Sequence, residues 1–184
     1  YPSIIEVARC VLEAGANGIT VHPRPDQRHI RKSDVYELAN FFAQKSMNSS
    51  SSAIEFNIEG YPSEDFLCMV EEVRPNQVTL VPDEPNQITS DHGWDIPQYQ
   101  NQLDEAITRL HQSDIRVSIF VDSDPNMAQS ARLVNADRVE LYTGPYHQEF
   151  IQGRGNSALK DFTETAIAMH VAGLGVNAGH DLNL

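Results

Sequence analysis

Short runs of β-branched residues alternate with longer stretches of helical spacing along the whole chain, and no β-hairpin signal breaks the alternation. Strand character covers Gly18–His22, Ala53–Asn57, Gln77–Val81, Arg116–Val121, Arg138–Tyr142 and Gly175–Ala178. Helical spacing covers Ile4–Ala14, Asp34 to about Gln44, a stretch opened by Ser63, Tyr99 to about Gln112, Asp124–Val134 and Ala158–Ala172. Ser33, Ser63 and Asp124 read as N-caps, with Pro125 at the first helical position. Gly15 and Asn135 read as helix closers. The alternation predicts an α/β chain of parallel strands joined by helical crossovers. At 184 residues a single domain over 1–184 is expected. Ser49–Ser52 reads as a flexible loop within it, and Pro82–Pro97 as a long polar loop of the kind that often carries function.

Two architectures satisfy that pattern, an open doubly wound sheet and a closed (β/α)8 TIM barrel. Neither a Gly-rich dinucleotide loop nor a Walker-type phosphate loop is present. The strand ends favour the barrel, whose catalytic groups come from the C-terminal ends of several strands. His22 ends the first strand because Pro23 has no N–H to donate. Arg24 and His29 follow on a loop stiffened by Pro23 and Pro25. Glu59 comes just past Asn57, Thr89 lies on the long loop, and Asp122, Glu140, Asn177 and His180 follow in later units. An imidazole, a guanidinium and a second imidazole in one stretch suit an anionic substrate. Glu140 is placed within Arg-Val-Glu-Leu-Tyr, where a carboxylate is expensive unless paired. An ion pair with Arg116 or Arg138 is the alternative to a functional role.

The formal net charge of −13 argues against nucleic acid and against anionic membrane surfaces, because no basic stripe exists to release counterions. Single arginines and local N–H groups still suffice for a small phosphorylated ligand. No apolar run approaches the length of a membrane span. Cys10 and Cys68 sit in apolar helical patterns and are expected to be buried free thiols, which fits a reducing, cytoplasmic setting. No His/Cys/Asp cluster has metal-ligand spacing, so no metal is expected. Lys32, Lys45 and Lys160 fall on loops or helices, so imine chemistry would need an amine from the substrate.

Several segments together resemble the pyridoxine 5′-phosphate synthase family, barrel enzymes of the deoxyxylulose-dependent route to vitamin B6. They are Ala14-Gly-Ala-Asn-Gly-Ile-Thr-Val-His22, Arg28-His29, Asn57-Ile-Glu59, Leu80-Val-Pro82, Val117-Ser-Ile-Phe120, Glu140-Leu-Tyr-Thr-Gly144 and Val176-Asn-Ala-Gly-His180. The resemblance implies condensation of 3-amino-2-oxopropyl phosphate with 1-deoxy-D-xylulose 5-phosphate to pyridoxine 5′-phosphate, phosphate and water. It implies His22 and Glu59 as proton acceptors, His180 as proton donor and Glu140 as transition-state stabiliser. Arg24, His29 and Thr89 become ligands of the deoxyxylulose phosphate. Asp181 stands where some members place a glycine whose backbone touches the amino ketone. No nicotinamide, flavin, pyridoxal or metal cofactor is implied, and a homo-oligomer is. The family's first and last strands have no counterpart between Tyr1 and Leu184, so an incomplete barrel with cut ends is expected. The alternatives are another sugar-phosphate isomerase or epimerase of this architecture, and a non-catalytic barrel that binds a phosphate ligand.

Overall fold

A computed structural model of the chain describes residues 3–48, 54–83, 87 and 89–182. The serine run at Ser49–Ser52 lies outside the described residues. Six strands form one all-parallel sheet: β1 Gly18–Val21, β2 Glu55–Gly60, β3 Gln77–Leu80, β4 Arg116–Val121, β5 Arg138–Leu141 and β6 Gly175–Ala178. Their spatial order is their chain order. A doubly wound sheet would reverse its order at one point. Here every crossover steps to the next neighbour in the same direction, and the sheet curls into part of a barrel.

The registers show why this sheet can have a lumen. Val21, Ile58, Val78 and Val117 lie side by side, as do Leu80, Ile119, Val139 and Val176. These rows face the helices and join Leu38, Val70, Ile107, Leu110 and Met169 in one core. Each fully buried aliphatic side chain contributes roughly 1.5–3 kcal/mol. The alternate rows are polar. Thr20, Asn57, Gln77 and Arg116 form one, and Glu59, Thr79, Ser118 and Arg138 the next. Asn57 and Gln77 tie several of these side chains together: Gln77 donates to Asn57 at 3.3 Å, Thr79 donates to Asn57 at 3.2 Å, and Arg116 donates to Gln77 at 2.8 Å. Hydrogen bonding makes these buried polar groups tolerable, with the Ser118 hydroxyl as an exception, buried without a partner among the described residues.

The helices are α1 Ile4–Glu13, α2 Lys32–Asn48, α3 Glu64–Val73, α4 Ile96–His111, α5 Met127–Leu133, α6 Gly144–Ile151 and α7 Gly155–Val171. Ser63 caps α3 as expected, accepting from the Phe66 N–H. Gly15 follows the C-cap of α1 at a φ of 104°, and Asn135 closes α5 at 58°. Ser33 is not a cap. The α2 helix begins at Lys32, where the Asp34 carboxylate reaches back to the Arg31 N–H at 2.8 Å, the return half of a capping box. Asp124 caps a turn ahead of α5, accepting from the Asn126 N–H. The α4 helix starts three residues before Tyr99, because Asp95 accepts from the Gln98 N–H and Pro97 is tolerated in the first turn. Helix α6 departs from the sequence expectation: Gly144-Pro145 reads as a loop signal but opens a helix.

Both cysteines are exposed, against expectation. Two residues along a helix is a turn of about 200°. Cys10 therefore lies opposite Ala8, the buried residue of α1. Cys68 lies with Glu64 and Arg109 on the polar side of α3, with Sγ 3.2 Å from Glu64 Oε1.

Gly93 and Trp94, in the long loop after β3, are fastened to the ends of β3 and β4. The Trp94 N–H donates to the Phe120 carbonyl at 2.9 Å, its indole N–H to the Leu80 carbonyl at 2.9 Å, and the Gly93 N–H to Asp122 Oδ1 at 3.0 Å. A Cβ at Gly93 would sit 2.3 Å from the Asp122 nitrogen. Gly93→Ala must lift the loop from the end of β4 and is expected to cost about 1–3 kcal/mol, measured by urea unfolding. Wild-type stability in that variant would show that the loop does not depend on this contact.

Candidate active site

His22 directly follows β1, and Pro23 ends the pairing there. Glu59 is not on a loop past Asn57, as expected from sequence. It is the penultimate residue of β2 and points to the inner face with Asn57. Glu140 occupies the third position of β5, paired with Phe120 and Asn177, and is 9% exposed. His180 follows β6, its ring 5.7 Å from both Phe120 and Tyr142. Glu59, Glu140 and His180 line one cavity of about 710 Å³ with Asn57 and Asn177. His22 does not line it. His22 faces a neighbouring cavity of about 380 Å³ with Arg24, Tyr61 and Asp83. Its Nδ1 lies 3.8 Å from Glu59 Oε2, so Glu59 joins the two spaces.

Burial dominates the electrostatics. Desolvation, then the neighbouring Arg24 charge, pulls His22 down to about 4, with Asp83 working in the opposite direction. Desolvation, then the charges of Glu140 and Asp83, pushes Glu59 up to about 8, against a smaller pull from Arg24. Glu140 is raised by desolvation, and His180 offsets part of that. His22 and Glu59 therefore face each other at neutral pH chiefly as uncharged groups rather than as an ion pair. Burial likewise raises Tyr142, so the phenol beside His180 stays protonated.

The ion-pair alternative for Glu140 is not what forms. Arg116 Nη2 lies 2.7 Å from Glu55 Oε1, and Arg138 donates to Asn177 at 3.1 Å. Among the described residues, Glu140 has neither arginine as a partner. Asp122 is engaged in holding the Gly93 N–H.

Arg24 is drawn to the loop after β3, donating to Asp83 Oδ2 at 2.7 Å and to the Gln87 carbonyl at 3.1 Å. His29 and Thr89 are exposed and line neither cavity, so the structure does not bring them together with the other four. Asp181 is exposed, at a φ of 61°, with Oδ2 3.3 Å from His180 Nδ1. That left-handed conformation is the one glycine adopts most easily and Asp tolerates better than most.

Two neighbours escaped the sequence reading. Tyr142 lies two residues beyond Glu140 on the same side of the pleat, a period-two signal that finds it. Asp83 has no local signal, since its partners come from β1's loop and from Ser90.

Buried and half-buried acid and base groups at the C-terminal side of a sequentially ordered parallel sheet define a barrel-type enzyme architecture. The chain belongs to the family of the pyridoxal phosphate biosynthesis protein PdxJ, whose model matches residues 1–184. This is the family to which the segments ending at His22, Gly144 and His180 point. Pyridoxine 5′-phosphate synthase of Mesorhizobium japonicum is 48% identical over 187 residues, covering 100% of this chain and 73% of that protein. The Bacteroides thetaiotaomicron protein of the same name is 46% identical over 183 residues, again covering 100% and 73%. Among solved structures, a mandelate oxidase variant matches with a TM-score of 0.58 at 12% identity, over 94% of this chain and 56% of that one. Thiamine phosphate pyrophosphorylase from Pyrococcus furiosus matches at 0.52 and 16% identity, over 95% and 78%. These two share the fold alone.

The folded state holds Glu59 near 8 against an ordinary value of 4.5. It therefore binds more protons than the unfolded chain between those limits, and stability falls as pH rises through them. Glu59→Gln is expected to be more stable than wild type at pH 8, by on the order of a few kcal/mol. The advantage should shrink toward zero as pH falls to 4.5. Urea unfolding at both pH values checks it, and a pH-independent difference would rule out burial of the carboxyl as its cause.

Proposed function

We infer that this chain is a pyridoxine 5′-phosphate synthase, condensing 3-amino-2-oxopropyl phosphate with 1-deoxy-D-xylulose 5-phosphate to pyridoxine 5′-phosphate, phosphate and water. The observation that carries the reading is Glu59, half-buried between His22 on one side and the cavity of Glu140 and His180 on the other. Ring closure needs several proton transfers in different directions around one pair of bound substrates. His22 and Glu59, both chiefly uncharged near neutral pH, suit that work as an adjacent base and acid, one free to take a proton and the other holding one to give.

His22, held near 4, is a free base at neutral pH and takes a proton from the substrate. Glu59, held near 8, is mostly protonated at pH 7, and its acceptor role belongs to the ionised fraction. His180 donates, with its ring set by Phe120 and Tyr142. Glu140 stabilises positive charge that develops on the imine nitrogen. The amino ketone supplies the amine, so no lysine is needed. Arg24, His29 and Thr89 bind the sugar phosphate, which requires the loops carrying His29 and Thr89 to fold inward. The backbone at Asp181 meets the amino ketone.

The six strands are the second to seventh of an eight-stranded barrel, and residues 1–184 act as one domain. No described helix is long and apolar enough to cross a membrane. A cytoplasmic homo-oligomer completes the reading, supported by exposed apolar residues on α6 and α7 such as Phe150 and Val171.

Purified protein is expected to release phosphate only when both substrates are present. Turnover of a single sugar phosphate would overturn the assignment. Glu59→Gln should lower kcat on the order of 10²–10⁴-fold. In wild type, kcat/KM should climb with pH toward about 8 as Glu59 ionises, and that limb should vanish in the variant.

A further inference from the structure

The Arg24 side chain is 11% exposed and its partner Asp83 only 4%. Two of the guanidinium nitrogens are committed toward the loop after β3, Nη2 to Asp83 Oδ2 at 2.7 Å and Nη1 to the Gln87 carbonyl at 3.1 Å. Ser90 donates to the same Asp83 oxygen at 2.7 Å. Asp83 Oδ1 is buried and has no hydrogen-bond partner among the described residues. Asp83 and Arg24 both line the cavity that His22 faces. A guanidinium is a rigid plane with five N–H donors. Fixing two of its nitrogens on one side fixes the direction of the donors that remain. Arg24 thus offers a forked contact in one orientation rather than a swinging positive charge.

We propose that Asp83 is a positioning residue whose carboxylate, steadied by Ser90, holds the Arg24 guanidinium in the plane in which it grips an anionic oxygen of the sugar phosphate. Asp83 does not itself touch the substrate. The inference rests on the functional reading above for the identity of that ligand. The competing view is that Asp83 merely neutralises a buried cation. Both views predict some loss of stability on substitution, since an unpaired buried charge is costly. They differ in what happens to the two substrates.

The test titrates wild type and Asp83→Asn with 1-deoxy-D-xylulose 5-phosphate alone, by calorimetry, and then measures turnover with both substrates. The expected result is a Kd for the sugar phosphate weakened about tenfold or more, because an aimed charge-assisted fork is lost. KM for the sugar phosphate should rise in parallel, while KM for the amino ketone stays within about twofold, since Arg24 does not face it. Removing the Asp83 charge should also move the pH limb assigned to Glu59 downward, because that charge helps raise it. Equal sugar-phosphate affinity in the two proteins, or equal losses for both substrates, overturns the proposal. If Asp83→Asn does not fold, Ser90→Ala serves. It keeps the carboxylate and frees it to turn, and it should weaken sugar-phosphate binding about threefold with the amino-ketone KM unchanged. Unchanged binding there overturns the proposal as well. A wild type that binds the sugar phosphate but makes no product overturns the functional reading, while the ratio of Kd values still judges Asp83. A wild type that does not bind it at all overturns both.

Discussion

The pleat of the sheet is the constraint on which everything else here depends. Side chains alternate with a period of two, so one set of registers puts Val, Ile and Leu against the helices and the other puts Asn, Gln, Thr, Ser and Glu inward. A slip of one residue in any strand would exchange these sets and bury carboxylates under the helices. The aliphatic rows therefore do two jobs. They hold the sheet to its helices, and they fix which face Glu59 and Glu140 occupy. The site inherits its geometry from the core rather than from loops.

The sequence revealed much of this because aliphatic rows leave a plain trace. β4 and β6 were placed to the residue, since Arg116–Val121 and Gly175–Ala178 have sharp boundaries on both sides. β2 was placed too early for the same physical reason that makes it interesting. Asn57 and Glu59 face the lumen, and inward polar residues read locally as the end of a strand. The Gly144-Pro145 pair hid α6, because the residues that open a helix are also turn formers. The exposed cysteines followed a similar course: apolar neighbours in sequence did not mean the buried side of the helix. The four acid and base groups were all legible from strand ends. Their division between two cavities was not, since it depends on the curl of the sheet. Asp83 was invisible because its meaning lies 59 residues away, at Arg24.

Arg24 illustrates how one charge serves several groups at once. It pulls both His22 and Glu59 down, while Asp83 pushes both up. The paired charges largely cancel at a distance, which leaves burial as the first cause of each shift. Desolvation acts in opposite directions on a base and an acid. It takes the proton from His22 and leaves one on Glu59, so two adjacent groups reach neutrality from opposite sides. A site built this way needs no network of ion pairs to set its protonation states, only the exclusion of water.

That exclusion has a thermodynamic consequence. Near neutral pH, ionising Glu59 or Glu140 inside the lumen works against the fold; among the described residues neither carboxylate is hydrogen-bonded to an arginine, and the Arg24 charge offsets only a small part of the cost at Glu59. The offset comes from the opposite face of the same strands, where Ile58 flanks Glu59 and Val139 and Leu141 flank Glu140, all buried against the helices. Replacing the inward carboxylates would relieve a strain on stability, and replacing the outward aliphatics would remove what tolerates it. The two faces are thus coupled through each short strand. A chain with this alternation can hold reactive carboxyls out of water only as long as its aliphatic rows remain packed. Mutations under α3 and α4, far from any substrate, should therefore change the protonation of the site by letting water in before they unfold the chain.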